Sequence, residues 1–269
     1  MILFLISIIP IRINKNIEPN DDLSKVILES LQKNKMQICD NDIIVVAQKI
    51  VSKSENRLRD LRNIIPSPKS IRLANFHNKD PRLIELILSE TTRIIRITKR
   101  HLIVETKHGF ICANAGIDQS NVSEDSQKTL LLPENPDISA RNLRKSIHNI
   151  SGKKVAVIIA DTFGRPFRKG QTNVAIGISG ITPIKSYIGM NDEYGKKLLV
   201  TEIAIADEFA AAAELVMGKT LKNPVAIIRG YEYETLSTED DDEFSIKTLL
   251  RSEHEDLFRN PDSMIHYTD

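Results

Sequence analysis

Two aspartates at the ends of apolar runs are the strongest candidates for chemistry in this chain. Asp118 comes shortly after Phe110–Ala113, and Asp161 follows directly on Val155–Ala160. Carboxylates that end buried strands lie at the sheet edge where α/β proteins usually place ligands. Mg²⁺ typically binds through one or two carboxylates together with phosphate oxygens. The pair therefore predicts a divalent-metal site, to which the Thr162 hydroxyl can contribute.

Each aspartate also has a purely structural interpretation. The sequence Thr-Phe-Gly after Asp161 permits a turn capped by the carboxylate, and residue type alone weighs this equally with a metal site. Asp118 lies in the polar stretch Asn114–Asn121, which is typical of turns closed by side-chain hydrogen bonds. The metal interpretation is favoured because the two aspartates occur together.

Basic residues close to these aspartates suit a phosphate. Arg165, Arg168 and Lys169 lie in the loop flanked by Gly164 and Gly170. Arginine offers a bidentate fork to phosphate and lysine a point charge, so we expect Arg165 and Arg168 to be catalytic. The alternative is an ordinary solvated loop.

Two more lysines, Lys49 and Lys53, follow the β-branched run Ile43–Ala47 and are within reach of the same ligand. A lysine after a buried strand is more often simply exposed. His108 is an acid–base candidate by residue type alone. Asn121 could hydrogen-bond a base or a sugar.

Composition narrows the functional classes. The 269 residues carry a net charge of +1 and only 5% aromatic residues, which argues against nucleic acid as a partner. The N-terminal apolar run is too short to span a bilayer, so we expect no membrane partner and a cytoplasmic location. Cys39 and Cys112 are predicted to be buried thiols.

The pattern of elements predicts a mixed α/β fold with more than one sheet, since strands and helices alternate without a regular βαβ rhythm. No P-loop or Rossmann glycine motif is present. We expect a first strand over Ile2–Ile9, a hairpin around Lys99–Arg100 and a helix capped by Ser139. A last helix is predicted over Ser245–Phe258.

Five segments resemble the coenzyme F420-0:γ-glutamyl ligase family, in the family's order and over nearly the whole chain. The motifs are long and specific. The matching segments are Ile44–Arg57, Glu105–Val122, Leu131–Ala140, Asp161–Gly180 and Asp207–Gly230.

The resemblance implies a ligase that uses GTP to join L-glutamate to coenzyme F420-0, and that can extend the γ-glutamyl tail, with release of GDP and phosphate. It also implies a fold of the family's own kind, a homodimer, and two divalent cations, Mg²⁺ or Mn²⁺, with K⁺ as a further assisting ion. We expect residues 1–269 to form one ligase unit, divisible into two intertwined subdomains, without a nitroreductase-like domain.

By motif, the resemblance assigns the metal ligands to Asp118, Asp161 and Thr162. One loop departs from the family pattern, because Lys219 stands where an acidic or amide ligand is expected. Either the second metal's coordination is in question or a neighbouring group supplies the ligand. The nucleotide contacts fall on Pro10, Ile11, Arg12, Gln48, Lys49, Lys53, Asn121, Met217, Gly218, Lys219 and Thr220.

Two alternatives to this function stay open. One keeps the chemistry but changes the acceptor to another small carboxylate. The other is a non-catalytic GTP-binding protein whose metal site has decayed at Lys219.

Overall fold

The computed structural model describes residues 5–120, 122, 124–236 and 244–256. Strands and helices alternate along these ranges, as the sequence predicts. The strands are β1 (Ser7–Ile11), β2 (Ile43–Ala47), β3 (Leu58–Asp60), β4 (Thr91–Ile97), β5 (Leu102–Thr106), β6 (Ile111–Ala113), β7 (Lys128–Leu130), β8 (Ala156–Gly164), β9 (Gln171–Ser179), β10 (Lys185–Ser186), β11 (Glu202–Ile203) and β12 (Val225–Arg229). The helices are α1 (Leu23–Lys33), α2 (Gln48–Ser54), α3 (Pro68–His77), α4 (Pro81–Ser89), α5 (Pro136–Ser151) and α6 (Ile205–Met217).

The largest sheet in the described ranges has five strands in the order β1-β12-β2-β8-β9. Only β2 and β8 run parallel to each other, and the other neighbours are antiparallel. β2 and β8 are apolar at nearly every position because both of their faces are covered, and Ile43–Val46 is completely buried. This sheet is therefore the rigid base of the main core.

Helices α5 and α6 pack against β8 and β9. The start of α5 approaches β9 so closely that a Cβ on Gly177 would lie 2.4 Å from the Pro136 carbonyl. Only glycine leaves room for this approach.

A second apolar core lies between the pair α3 and α4 and the three-stranded sheet β4-β5-β6. It includes Ala115, three residues before Asp118. Asp161, in contrast, lies within β8 of the main core. Because β8 continues to Gly164, the predictions that Asp161 ends its strand or caps a turn with Thr-Phe-Gly were wrong, and only the buried part of the strand ends there. The two aspartates therefore reach the site from different cores.

The mixed α/β prediction is confirmed, and so is the hairpin, formed by β4 and β5. The first strand is Ser7–Ile11 and includes Pro10, which is tolerated because β1 is an edge strand. The predicted strand Ile2–Ile9, closed by Pro10, was wrong at both ends. Residues 5 and 6 are not part of a strand, and the strand continues through Pro10 to Ile11; residues 1–4 lie outside the described ranges.

Three further local predictions need correction. Helix α5 is capped by Asn135, with Pro136 at its first position, rather than by Ser139. The predicted helix Ser245–Phe258 is only a short 3-10 helix, Ile246–Leu249, within its described part. Cys112 is buried as predicted, but Cys39 is exposed.

Within the described residues, no helix combines the length and the apolar character that crossing a bilayer requires.

Candidate functional site

The strand register brings most of the predicted site segments to one end of the strands of the main sheet. Ile11 pairs with Val225, Val225 pairs with Val46, and Ala47 pairs with Ala160. The segments that continue past these positions must therefore emerge side by side. They contain Arg12, Gln48, Lys49, Asp161 and Thr162. The loop that leads into β12 carries Gly218, Lys219 and Thr220, whereas Met217 is the last residue of α6 and is buried.

Asp161 is a carboxylate whose charge the protein compensates only weakly. Its Oδ1 accepts a hydrogen bond from the backbone N–H of Thr162 at 2.7 Å. Burial raises the pKa of Asp161 to about 6; the Thr162 N–H opposes the shift, Asp118 adds to it, and Lys219 and Lys49 oppose it. The group is therefore suited to bind a cation that would compensate its charge.

Asp118 is held in a well-satisfied turn. Its backbone exchanges two hydrogen bonds with Leu130, and its Oδ1 accepts two from the N–H and hydroxyl of Ser120, both at 2.7 Å. The Nζ of Lys49 lies 2.8 Å from Oδ2. Burial acts to raise the pKa of Asp118, but the hydrogen bonds from Lys49 and Ser120 outweigh it, so the pKa is lowered.

Thr162 belongs to a group of four polar side chains. Its Oγ1 donates to Asn173 Oδ1 at 2.6 Å and accepts from Lys219 Nζ at 2.5 Å. Asn173 Nδ2 donates to Glu214 Oε2 at 3.0 Å, and Lys219 Nζ lies 3.4 Å from Glu214 Oε1. We call these four residues the Thr162 network.

Sequence reasoning missed Asn173 and Glu214. A signal for Asn173 existed, because a hairpin turning between Gly164 and Gly170 places it close to Thr162. The exact pairing also requires a β-bulge between Ile159 and Ala160, which adds one residue to β9. Glu214 needed the packing of α6, which no local pattern gives.

The bulge is fixed by a side chain from α6. Asp207 Oδ1 accepts a hydrogen bond from the backbone N–H of Ala175 at 2.9 Å, next to the extra residue of β9. Burial raises the pKa of Asp207, and the bond from Ala175 opposes that shift.

Helix α2 supplies two lysines one turn apart. Lys49 contacts Asp118 as described, and Lys53 is half-buried, with its pKa lowered by burial and then by Lys49. Gln48 behaves differently. Its side chain is 3% exposed and donates to Ser52 Oγ and to the Leu131 carbonyl, so it anchors α2 inside the protein.

Several predicted residues lie away from the two carboxylates. Arg165, Arg168 and Lys169 are exposed in the β8–β9 loop. His108 faces the backbone carbonyls of Pro133 and Glu134 at 2.9 and 3.2 Å, which gives it a structural role.

The N-terminal nucleotide segment is only partly accessible. Ile11 is completely buried, and Pro10 is exposed on β1. Arg12 is exposed and donates to Asn14 Oδ1 at 3.2 Å. Asn121 lies outside the described residues.

The donor set fits a divalent cation. No group of three or more His, Cys, Asp or Glu side chains with metal-binding arrangement occurs in the described part of the chain. The available carboxylates are the pair Asp118 and Asp161, whose charges influence each other. One or two carboxylates with phosphate oxygens are the usual protein environment of Mg²⁺.

Comparison with known proteins identifies the family to which the chain is similar. The family model described as F420-0:Gamma-glutamyl ligase matches residues 11–230. A coenzyme F420:L-glutamate ligase from Methanothermobacter thermautotrophicus is 44% identical over 240 residues, covering 89% of this chain and 93% of that protein. The proteins of the same name from Methanocaldococcus jannaschii and Methanopyrus kandleri are 45% and 39% identical, covering 82% and 93% of this chain and 86% and 96% of their own lengths.

The matched range takes in Asp118, Asp161, both lysines of α2 and the whole Thr162 network. On this coverage and identity, the chain belongs to the F420-0:gamma-glutamyl ligase family.

Proposed function

We propose that this protein is a GTP-dependent amide ligase that joins L-glutamate to coenzyme F420-0, releasing GDP and phosphate. The relatives' shared name, coenzyme F420:L-glutamate ligase, supports the acceptor and the amino acid. The observation that carries the proposal is the gathering of Asp118 and Asp161 with Lys49 and Lys219 at one sheet edge. Carboxylates beside lysines suit a metal-bound nucleotide triphosphate.

The first half of the reaction activates a poor acyl donor. A carboxylate oxygen of the coenzyme attacks the γ-phosphorus of GTP, the bond to the β-phosphate oxygen breaks, and GDP leaves with an acyl phosphate formed. Lys49 and Lys53 hold phosphate oxygens from α2, and Lys219 does so from the loop after α6. Asp118 and Asp161 would hold Mg²⁺ or Mn²⁺, which supplies positive charge against the charge that develops on the phosphates.

The second half forms the amide bond. The amino group of L-glutamate attacks the activated carbonyl carbon, phosphate leaves with the electron pair, and the amine loses a proton. Water must be kept away because it would hydrolyse the acyl phosphate. The exposed β8–β9 loop would cover the phosphates, and its Arg165 and Arg168 would donate hydrogen bonds to the phosphate oxygens.

Mass spectrometry tests the overall reaction. The protein is incubated with coenzyme F420-0, L-glutamate, Mn²⁺ and either GTP or ATP, and the molecular mass of the coenzyme is then measured. We expect GTP-dependent addition of one or more glutamyl residues. Addition with ATP alone would contradict the nucleotide assignment.

Isotope transfer tests the intermediate. A coenzyme labelled with heavy oxygen in the acceptor carboxylate should pass one labelled oxygen to the released phosphate, because the acyl phosphate breaks at its carbonyl carbon. Unlabelled phosphate with normal ligation would exclude this mechanism. Phosphate release with other small acids but not with the coenzyme would indicate the alternative acceptor, and GTP binding without any turnover would indicate a non-catalytic protein.

We also propose that the protein is a homodimer. The segment between β10 and β11 carries large apolar side chains on its surface, with Tyr194, Leu199 and Val200 exposed by 87%, 75% and 86%. Apolar side chains gathered on one projecting segment are typical of a subunit interface. A second copy of the chain is the partner that the family resemblance implies.

Sedimentation velocity tests the dimer. Replacing Leu199 and Val200 together by Asp should shift the protein from dimer to monomer, because the interface would then bury two charges. Ile65→Asp is the matched control, since Ile65 is equally exposed but lies on α3's side of the molecule, before that helix begins. A monomeric wild-type protein would exclude the proposal.

A further inference from the structure

We propose that the ammonium group of Lys219 takes the place of a second divalent cation, so that this chain binds nucleotide with one divalent ion where its resemblance implies two. The inference rests on the proposed function, because it concerns the same nucleotide site.

The first observation is the position of the Lys219 side chain. Its Nζ lies 2.5 Å from Thr162 Oγ1, on the residue that follows Asp161. Thr162 Oγ1 donates its hydrogen to Asn173 Oδ1, so the hydroxyl has only lone pairs to offer. Lys219 takes one of the two lone pairs through which that oxygen could bind a metal ion.

The second observation is that the remaining oxygens of the Thr162 network already have partners. Glu214 Oε2 accepts from Asn173 Nδ2, and Glu214 Oε1 lies 3.4 Å from Lys219 Nζ. Asn173 Oδ1 accepts from Thr162. Every side-chain oxygen of the Thr162 network thus has a partner there, and a second cation would have to displace Lys219 or Asn173 from one of them.

Charge leads to the same conclusion. A Mg²⁺ ion on Thr162 Oγ1 would bind at about 2 Å, which places it roughly 4 Å from the ammonium group on the same oxygen. Two cations at that separation repel strongly in a partly buried site. Outside the Thr162 network, the carboxylates that the described residues bring to the site are Asp118 and Asp161, a pair that suffices for one ion.

Lys219 is also free to serve in this way. Its side chain is 62% exposed, so it can follow the phosphate oxygens as they gain charge. The φ of +56° at Gly218, where α6 ends, turns the chain so that Lys219 faces β8. The position of the Lys219 ammonium group therefore depends on the turn at Gly218 as well as on the lysine side chain.

The test is a count of bound metal ions. Wild-type protein with a non-hydrolysable GTP analogue is titrated with Mn²⁺ while electron paramagnetic resonance follows free and bound ions. We expect about one Mn²⁺ per chain, with the spectrum of an isolated ion. Lys219→Gln should bind about two, and ions about 4 Å apart should show a spin-coupled spectrum.

Two variants serve as controls. Lys219→Met removes the charge but adds no ligand, and it should bind one ion. Lys222→Gln makes the same change as Lys219→Gln at an exposed lysine of the same loop, and it should behave like the wild type. A second ion in Lys222→Gln would mean that loop charge alone controls the count and would overturn the proposal.

The outcomes also separate this inference from the proposed function. Two Mn²⁺ ions in the wild type would overturn the role of Lys219 and leave the ligase intact. A single ion in Lys219→Gln would overturn it as well. If the analogue binds but no Mn²⁺ does, both proposals fail.

Discussion

The two ends of the main sheet treat a carboxylate in opposite ways, with Asp42 completely buried and Asp161 partly buried. At the end away from the site, Asp42 is 0% exposed. Arg229 donates hydrogen bonds from Nε to Asp42 Oδ1 at 2.8 Å and from Nη2 to Oδ2 at 2.7 Å. The backbone N–H of Cys39 adds another bond at 2.8 Å. At the site end, Asp161 accepts from Thr162 N–H, and burial raises its pKa to about 6.

The number of partners that each carboxylate has distinguishes a charge with a structural role, Asp42, from a charge suited to a functional role, Asp161. A buried charge that is paired and hydrogen-bonded fixes a structure, and removing its partner is costly. A carboxylate buried without a full set of partners destabilises the fold until something binds it. The carboxylate of Asp42 therefore has its partners within the protein, whereas under the proposed function the carboxylate of Asp161 would gain its missing partner from a bound cation.

The largest expected effect is on catalysis at the site end. Asp161→Asn should lower kcat/KM by at least about 10³-fold, or roughly 4 kcal/mol of transition-state stabilisation, because the metal loses a charged ligand. Steady-state assays of phosphate release measure this. Asp40→Asn is the control, since Asp40 is an exposed carboxylate paired with Lys153, and it should leave activity unchanged. Near-normal ligation by Asp161→Asn would remove the basis of the site assignment.

The next effect is on stability at the opposite end. Asp42→Asn should lower the free energy of unfolding by about 3 kcal/mol, because Arg229 would lose its charged partner. Activity per folded molecule should stay normal. Urea unfolding, followed by circular dichroism, measures the first quantity. The double variant Asp42→Asn with Arg229→Met should recover part of the loss, and failure to recover any would mean that the pair is not the cause.

The pH dependence of stability tests the Asp161 end of the sheet alone, with the pair of Asp42 and Arg229 left intact. The pKa of Asp161 is about 6 in the folded protein against 3.8 ordinarily, so folding favours its protonated form. Its contribution to stability is complete below about pH 4 and is lost as pH rises through 6, by at most about 3 kcal/mol. Metal-free Asp161→Asn should therefore be more stable than the wild type at pH 8 and equally stable at pH 4. Equal stability at both values would contradict the weak compensation of this charge.

The smallest effect compares the two lysines of α2. Lys49→Met should weaken GTP binding about 10-fold, because it removes a phosphate contact and also the ion pair with Asp118. Lys53→Met removes only a contact, so a smaller loss is expected. Calorimetric titration with GTP measures both, and a larger loss for Lys53 would assign the phosphate contact to that residue instead.

The sequence predicts the parts of the site that depend on local pattern. The buried part of β8 is visible as an apolar run that stops at Asp161, and parallel pairing then brings Ala47 beside Ala160. What the sequence does not reveal depends on contacts between distant segments. Glu214 joins the site only because α6 packs on β9, and Gln48 turns inward only because Leu131 passes beside α2.

One local signal was available but was assigned to the wrong residue. Asn135-Pro136 is a typical helix start, since asparagine caps the first turn and proline suits its first position. Ser139, three residues later, was the weaker choice, and its hydroxyl instead donates to the carbonyl of Asn135 and to Glu55 Oε1.

The extra residue of β9 makes the site depend on a count of residues as well as on their types. Without the bulge, the pairing of Ile159 with Gly177 would continue by single steps and bring Val174 opposite Thr162. An isopropyl group would then replace the amide of Asn173, and the Thr162 network would lose the residue that joins Thr162 to Glu214. A shift of β9 by one position against β8 would therefore remove this polar contact although no residue near Thr162 had been substituted.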